Sequence, residues 1–322
     1  MVPNKTIFTL AAALGFCLSS IAPVSSTLAQ HSEEPRQWRF SSDGDLSATL
    51  DCFEASGTTL ISAHRGGPSP GLPENAIETM DAVLTAIPAV MEVDVAQSPD
   101  GVHYLMHDRT LDRTTSGTGD VTDVPWEEVK RLSLVDEAGW VTPYKVPTLN
   151  QALAWAKGRT VLQIDFKRTA DYSEVITLIR AQGMVQSVIL IAYSVEAAQR
   201  LHALAPEMLI SFSVSQPSDL DAVVAAGIPT DRIVAFTGTR TARPDLYRVL
   251  DEADVEVIFG TLGRSPNSID NVIDRFGSAE RYAELGEGGV DIIATDRPRE
   301  AAKALEEAGR LPKQEQCGVT RP

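Results

Sequence analysis

Thr59-Leu60-Ile61-Ser62-Ala63 runs directly into His64-Arg65-Gly66-Gly67. The first five residues form a short apolar stretch of β type, and the next four carry an imidazole, a guanidinium and two glycines. Stretches of the same kind recur at Met91–Val95, Val161–Asp165, Val188–Ala192, Leu209–Val214, Arg232–Ala235, Val255–Phe259 and Val290–Ala294. Most are continuously apolar, the pattern of parallel strands covered on both faces. Amphipathic segments lie between them. Ile77, Met80, Leu84 and Ile87 share one helical face that Pro88 stops. Thr148–Lys157 turns Leu149, Leu153 and Ala156 inward before Gly158, and Val175, Ile176 and Ile179 precede Gly183. Another helix follows Pro217 and stops at Gly227, and the last runs from Pro298 to Gly309. Strand–helix alternation repeated eight times predicts an α/β fold, a (β/α)8 TIM barrel in one domain over 30–310. A doubly wound sheet is the competitor, but it needs fewer strands per layer and a crossover switch that this order does not contain.

The rhythm breaks between the second and third strands. Residues 97–146 read as an insertion: a hairpin from Gln97 to His107 turned at Pro99-Asp100-Gly101, a polar segment, then a short helix over Trp126–Leu132. Loops after barrel strands line the active-site face, so the insertion is placed for substrate recognition; a surface insert without a role is the alternative.

Residues 1–29 read as a secretory signal peptide: Lys5, an apolar run from Ile7 to Val24, and small residues at Thr27-Leu28-Ala29. A membrane anchor is the alternative, but Ser19, Ser20 and Pro23 interrupt the run and no stop-transfer charges follow. No later segment predicts a membrane span. The protein is expected outside the cytoplasm, periplasmic or extracellular. There Cys52 and Cys317 either form a disulfide or remain separate thiols. Glu33–Asp51 reads as a polar lead-in, and 311–322 as a polar C-terminal tail, disordered or loosely docked from Lys313 on. The formal charge of −16 argues against a nucleic-acid partner, which requires basic neutralisation. It permits a small anionic substrate held by local cations.

His64 and His107 both end strands that open into C-terminal loops, and each is followed by a charged residue, Arg65 or Asp108. Such a pair suits acid–base catalysis. His103, beside the Gly101 turn, is expected to be exposed. Glu92 and Asp94 lie two apart on one strand and share a face; Asp165 and Lys167 repeat the spacing on the next. Adjacent strands bring Glu92, Asp94 and Asp165 together, and a hard divalent cation, Mg²⁺ or Ca²⁺, would satisfy three such carboxylates. An ordinary ion-paired cluster with Arg65 or Lys167 is the alternative.

His64-Arg65-Gly66, Pro73-Glu74-Asn75, Glu92-Val93-Asp94, His107-Asp108, Leu111-Asp112-Arg113-Thr114-Thr115, Val146-Pro147-Thr148-Leu149 and Thr295-Asp296-Arg297-Pro298 occur in this order. In them the chain resembles the glycerophosphodiester phosphodiesterase family over about residues 58–307. The resemblance implies that His64 and His107 are the acid–base pair, Arg65 and Lys167 bind phosphate, and Glu92, Asp94 and Asp165 ligate one divalent cation. It also implies that Glu74 and Asn75 close the pocket. The implied reaction releases sn-glycerol 3-phosphate and an alcohol from glycerophosphodiesters, through a cyclic phosphate if the glycerol hydroxyl is the nucleophile.

The chain departs from the family pattern at three places. Asp165 stands where a glutamate is usual. Ile258-Phe259-Gly260-Thr261-Leu262 replaces a tryptophan–threonine–asparagine stretch, leaving Phe259 as part of the apolar substrate wall. The crossover from Gly263 to Gly289 is long, and its Arg264, Asn267 and Arg281 are placed to reach the pocket. Two other functions compete. One is a lipid phosphodiesterase or lyase of the same barrel type, which an exposed rim of Val121, Val124, Trp126, Trp140 and Val141 would favour. The other is a non-catalytic periplasmic binder of phosphodiesters, which would not need both histidines.

Overall fold

The computed structural model describes Met1, residues 36–42 and residues 44–321. The signal-peptide expectation for 1–29 therefore lies outside the described residues, Met1 apart. Eight parallel strands form a closed barrel: β1 (Leu60–Ala63), β2 (Val90–Gln97), β3 (Leu162–Phe166), β4 (Val188–Ala192), β5 (Leu209–Ser213), β6 (Ile233–Phe236), β7 (Val257–Gly260) and β8 (Ile292–Thr295). Each pairs with its neighbour in chain order, and β8 pairs with β1 to close the ring. At least one helix follows every strand, from Ile77–Ala86 after β1 to Pro298–Glu307 after β8. The helix starts are chemically marked. Thr148 and Gln151 form a reciprocal capping box ahead of Leu149–Ala156, and Asp171, Ser194 and Ser268 each accept a backbone N–H of their helix's first turn.

Period-two alternation separates two cores. Ile61, Met91, Val93, Ile164, Leu190 and Phe259 pack outward against the helices. Leu60, Val90, Val161, Ile189, Leu209, Val234, Ile258 and Ile292, one in or beside each strand, point into the barrel and fill its lower part. A helix ahead of β1, Leu46–Ala55, brings Leu46, Leu50 and Phe53 against that ring. Spacings of four and three place these three side chains on one stripe. The lead-in expected over 33–51 thus contains the start of a plug under the barrel. The C-terminal residues are docked to the same end: Val319–Thr320 pairs antiparallel with Arg39–Phe40, and Cys52 is bonded to Cys317. Hydrophobic periodicity carries no signal for strands of two residues.

The insertion is a small module with its own core. β2 continues past the barrel rim to Gln97 and turns back through His103–Leu105, with Ala96 opposite Tyr104. Leu111, Val121, Val129, Leu134 and Val146 pack around Tyr104 and Met106. The hairpin of Ser133–Val135 with Val141–Lys145 completes it. Trp126–Val129 is the helical part, shorter than the sequence suggests because Lys130 caps it.

Candidate active site

The inward phase of β1, β2 and β3 carries the polar groups to the C-terminal rim. β2 and β3 pair with Asp94 opposite Asp165 and Glu92 opposite Gln163. Glu92, Asp94 and Asp165 are buried, each with an oxygen inside a common 4.8 Å cluster. Lys167 Nζ lies 2.6 Å from an oxygen of both Asp94 and Asp165. Asn75 locks Asp94 from the other side, donating from Nδ2 to Oδ2 at 2.7 Å while its Oδ1 accepts the Asp94 N–H at 2.9 Å. Burial, then the charge of Asp94, pushes Glu92 up to about 8. Burial also opposes ionisation of Asp94, but Lys167, His107 and Arg65 outweigh it and hold the carboxyl below its usual range.

His64 ends β1. Its Nδ1 is 2.6 Å from Asp296 Oδ1, and its Nε2 is 4.0 Å from Glu92. The next residue, Arg65, adopts φ 51°, a left-handed turn that aims its backbone N–H at Glu92 Oε2, 2.7 Å away. Gly66 and Gly67 follow at φ 81° and 78°, and a Cβ on Gly66 would stand 2.7 Å from Met80 Cγ. The tight turn and the close helix approach both require glycine. His107 follows the return strand of the hairpin, with Nδ1 2.7 Å from Asp108 Oδ1. Each imidazole is thus oriented by its own carboxylate. The two differ in environment. Burial opposes the charged form of His64, but the hydrogen bond to Asp296 and the charge of Glu92 overcome it and raise the group. Burial prevails at His107 and lowers it.

Glu74 is buried under three guanidinium groups. Arg65 approaches at 3.1 Å, Arg113 in fork geometry at 2.7 and 2.8 Å, and Arg264 at 3.4 Å. Arg113 also grips Asp108, with Nε 2.6 Å from Oδ2. Glu74 therefore orders the arginine cluster and, through Arg113, the partner of His107. Arg65 Nε is buried and makes no hydrogen bond among the described residues, lying 3.6 Å from Asp94 Oδ2, and Asp165 Oδ1 is likewise buried without a hydrogen-bond partner. The first is a donor suited to an anion, the second an acceptor suited to a cation. Three converging carboxylates, one unpartnered oxygen and a glutamate that burial makes costly to ionise fit a hard divalent ion.

Two cavities flank this centre. One of about 120 Å³ is lined by His64, Glu92, Asp165, Tyr193, Phe236 and Leu262, among others. The other, about 720 Å³, opens over Glu74, Arg113, Arg264 and Asp296 beside the insertion. Phe259 lines neither. It is fully buried against the helix layer, because β7 presents Ile258 and Gly260 inward. The expectation that Phe259 forms the substrate wall is therefore corrected. Phe236 of β6 and Thr239 beyond it fill the space beside Gly260, Thr239 Cγ2 2.7 Å and the Phe236 ring 3.5 Å from where a Cβ would stand. Arg264 reaches the large cavity, whereas Asn267 and Arg281 are exposed away from it. His103 is buried, not exposed, and its Nε2 accepts the Asp171 N–H at 3.4 Å. Of the suggested apolar rim, Val121 is buried in the insertion core, and Trp140 and Val141 are exposed.

Residues the sequence reading left without a role also matter. Asp108 and Asp296 hold the histidines, Arg113 ties Asp108 to Glu74, and Tyr193 donates to Asp165 at 3.0 Å. Asp270, from the long last crossover, is buried and accepts from Tyr282, Thr295 and the backbone N–H of Asp296. The inward phase of β4, Ile189-Ile191-Tyr193, is the signal that points to Tyr193.

A closed (β/α)8 barrel with an acidic cluster and two carboxylate-bound histidines on its C-terminal rim defines a class of phosphodiester-processing proteins. The family model for the glycerophosphoryl diester phosphodiesterase family matches residues 64–300, and the chain belongs to that family. A solved glycerophosphoryl diester phosphodiesterase from Parabacteroides distasonis is 29% identical, with a TM-score of 0.76, covering 89% of this chain and all of that one. Glycerophosphodiester phosphodiesterase 1 of Bos taurus is 37% identical over 95 residues, 29% of this chain. The match spans only 28% of that relative's length. Uncharacterized protein YqiK of Bacillus subtilis is 28% identical across 77% of this chain and 98% of its own.

Proposed function

We propose that the protein hydrolyses glycerophosphodiesters to sn-glycerol 3-phosphate and an alcohol, with one bound divalent cation. The observation that carries this reading is that two carboxylate-oriented histidines stand beside the Glu92–Asp94–Asp165 cluster, His64 Nε2 at 4.0 Å from Glu92 and the charge of His107 acting on Asp94, with Arg65 Nε 3.6 Å from Asp94 Oδ2. With Nδ1 of each ring engaged by a carboxylate, Nε2 is the nitrogen left for proton transfer. One histidine takes the proton of the nucleophile, and the other protonates the departing alkoxide. Arg65 and Lys167 place positive charge at the phosphoryl group, where charge develops in the transition state. A divalent ion at the three carboxylates would add Lewis-acid stabilisation of the phosphoryl oxygens. The nucleophile is the neighbouring glycerol hydroxyl, giving a cyclic phosphate that water then opens. We also place the protein outside the cytoplasm, a reading supported by the apolar N-terminal run and the Cys52–Cys317 bridge.

The test is to supply purified protein with glycerophosphocholine and glycerophosphoethanolamine. Glycerol 3-phosphate and cyclic phosphate are quantified without metal, with Mg²⁺ and with Ca²⁺, beside His64→Ala and His107→Ala. Metal-dependent product, reduced on the order of 10²-fold or more in each variant, is expected. With a lysophospholipid supplied in parallel, turnover of it alone would shift the substrate to lipids, and binding without turnover would mark a non-catalytic binder.

A further inference from the structure

Asp165 is one methylene shorter than a glutamate, a loss of reach of about 1.5 Å. The terminal torsion of an aspartate is also broad and roughly two-fold, so a lone Asp165 would present either oxygen. Here one oxygen is clamped and the other is not. Oδ2 accepts from Lys167 Nζ at 2.6 Å and from the Tyr193 hydroxyl at 3.0 Å, and Oδ1 has no partner among the described residues. The two donors come from different elements. Lys167 is shared with Asp94 on β2, and Tyr193 stands at the end of β4 on the other side of β3.

Packing does not account for Tyr193. The residue is 65% exposed at the barrel mouth, so its ring contributes little to either core. Its position follows from the phase of β4, in which Val188, Leu190 and Ala192 face the helices while Ile189 points into the barrel. Ile191 and Tyr193 continue that inward phase and both line the small cavity. Ser194, the N-cap of the following helix, turns the chain immediately afterwards.

We propose that Tyr193 is a positioning residue of the cation site: its hydroxyl holds Asp165 Oδ2 so that Oδ1 joins Glu92 and Asp94 as a ligand. The clamp makes up for the short side chain. This rests on the cation-binding reading of the cluster and not on the identity of the substrate.

The test is calorimetric titration of the purified full chain with Mg²⁺ and Ca²⁺, with no substrate present. Hydrogen-bond partners of metal ligands typically change affinity 10–100-fold. Tyr193→Phe keeps the ring, so its metal-free melting temperature should match the wild type while its affinity falls about tenfold. Asp165→Glu added to Tyr193→Phe should restore affinity to within a few-fold, because the longer side chain no longer needs the clamp. Saturating metal should return the kcat of Tyr193→Phe toward wild type. Wild-type affinity in Tyr193→Phe, or no recovery in the double variant, would overturn the proposal while leaving the cation site standing. An absence of cation binding by the wild-type protein would instead remove the site itself.

Discussion

At the residue scale, the paired carboxylates make the sharpest demand. Asp296 and Asp108 each hold an imidazole Nδ1, which selects the tautomer and orientation of the ring. Asp296→Asn and Asp108→Asn keep the shape but lose the charge, and each is expected to lower kcat on the order of 10²-fold or more, with a smaller change in KM, in steady-state assays. The two phenylalanines separate wall from core. Phe236→Ala should raise KM, because the ring lines the small cavity. Phe259→Leu should leave KM unchanged and lower stability by about 1 kcal/mol in denaturant unfolding, because that ring packs only against the helix layer. A KM change for Phe259→Leu without one for Phe236→Ala would reverse the assignment.

At the element scale, the last crossover reaches back into the site. The helix Ile269–Phe276 puts Asp270 behind β8, where it accepts from Thr295, Tyr282 and the Asp296 backbone. The end of β8, and with it the carboxylate on His64, is held by that buried group. Asp270→Asn exchanges one acceptor oxygen for a donor facing other donors. It should lower kcat about tenfold and KM little, and Tyr282→Phe should have a smaller effect of the same kind. Strand phase shows why some elements were legible and others were not. β2 and β3 carry charged residues two apart among apolar ones, so their inward faces could be read directly. β7 is apolar at Val257, Ile258 and Phe259, so its phase carries no label in the sequence, and Phe259 proves to face the helices and not the substrate.

At the scale of the whole molecule, the two ends of the barrel are chemically opposed. The C-terminal end holds the candidate site, and the other end is plugged by Leu46–Ala55, which the Cys52–Cys317 bridge ties to the C-terminal segment. The bridge joins residues 265 apart in sequence. Replacing both cysteines by serine is expected to cost about 2–5 kcal/mol, measured by unfolding, with kcat and KM retained. Glu256 lies at the plugged end, buried, with Oε1 unpartnered among the described residues; burial foremost pushes it up to about 9. Asp291 is raised to about 6, again foremost by burial. A carboxyl raised in the folded state keeps a proton that the unfolded chain releases near 4.5. Its stabilising contribution is complete below that pH and is lost as pH rises toward 9. The melting temperature should therefore fall between pH 5 and pH 9, and Glu256→Gln should flatten that dependence. An unchanged slope in the variant would mean that Glu256 is not the group responsible.

By itself the sequence determined the alternation of eight strands and helices, the insertion after the second strand, and the candidate acid–base, arginine and carboxylate residues. Those features are local: apolar runs, caps, and charged residues two apart on one strand express their meaning within a few residues. Tertiary structure alone decided that Phe236, not Phe259, borders the small cavity, and that Tyr193, inward by the phase of its strand, meets Asp165. It also decided that Glu74 gathers three arginines, that Asp270 stands behind Asp296, and that the lead-in and tail seal the barrel. Each of these depends on side chains distant in sequence meeting across a closed sheet, where curvature and strand phase set the partners and no periodicity in the chain encodes them.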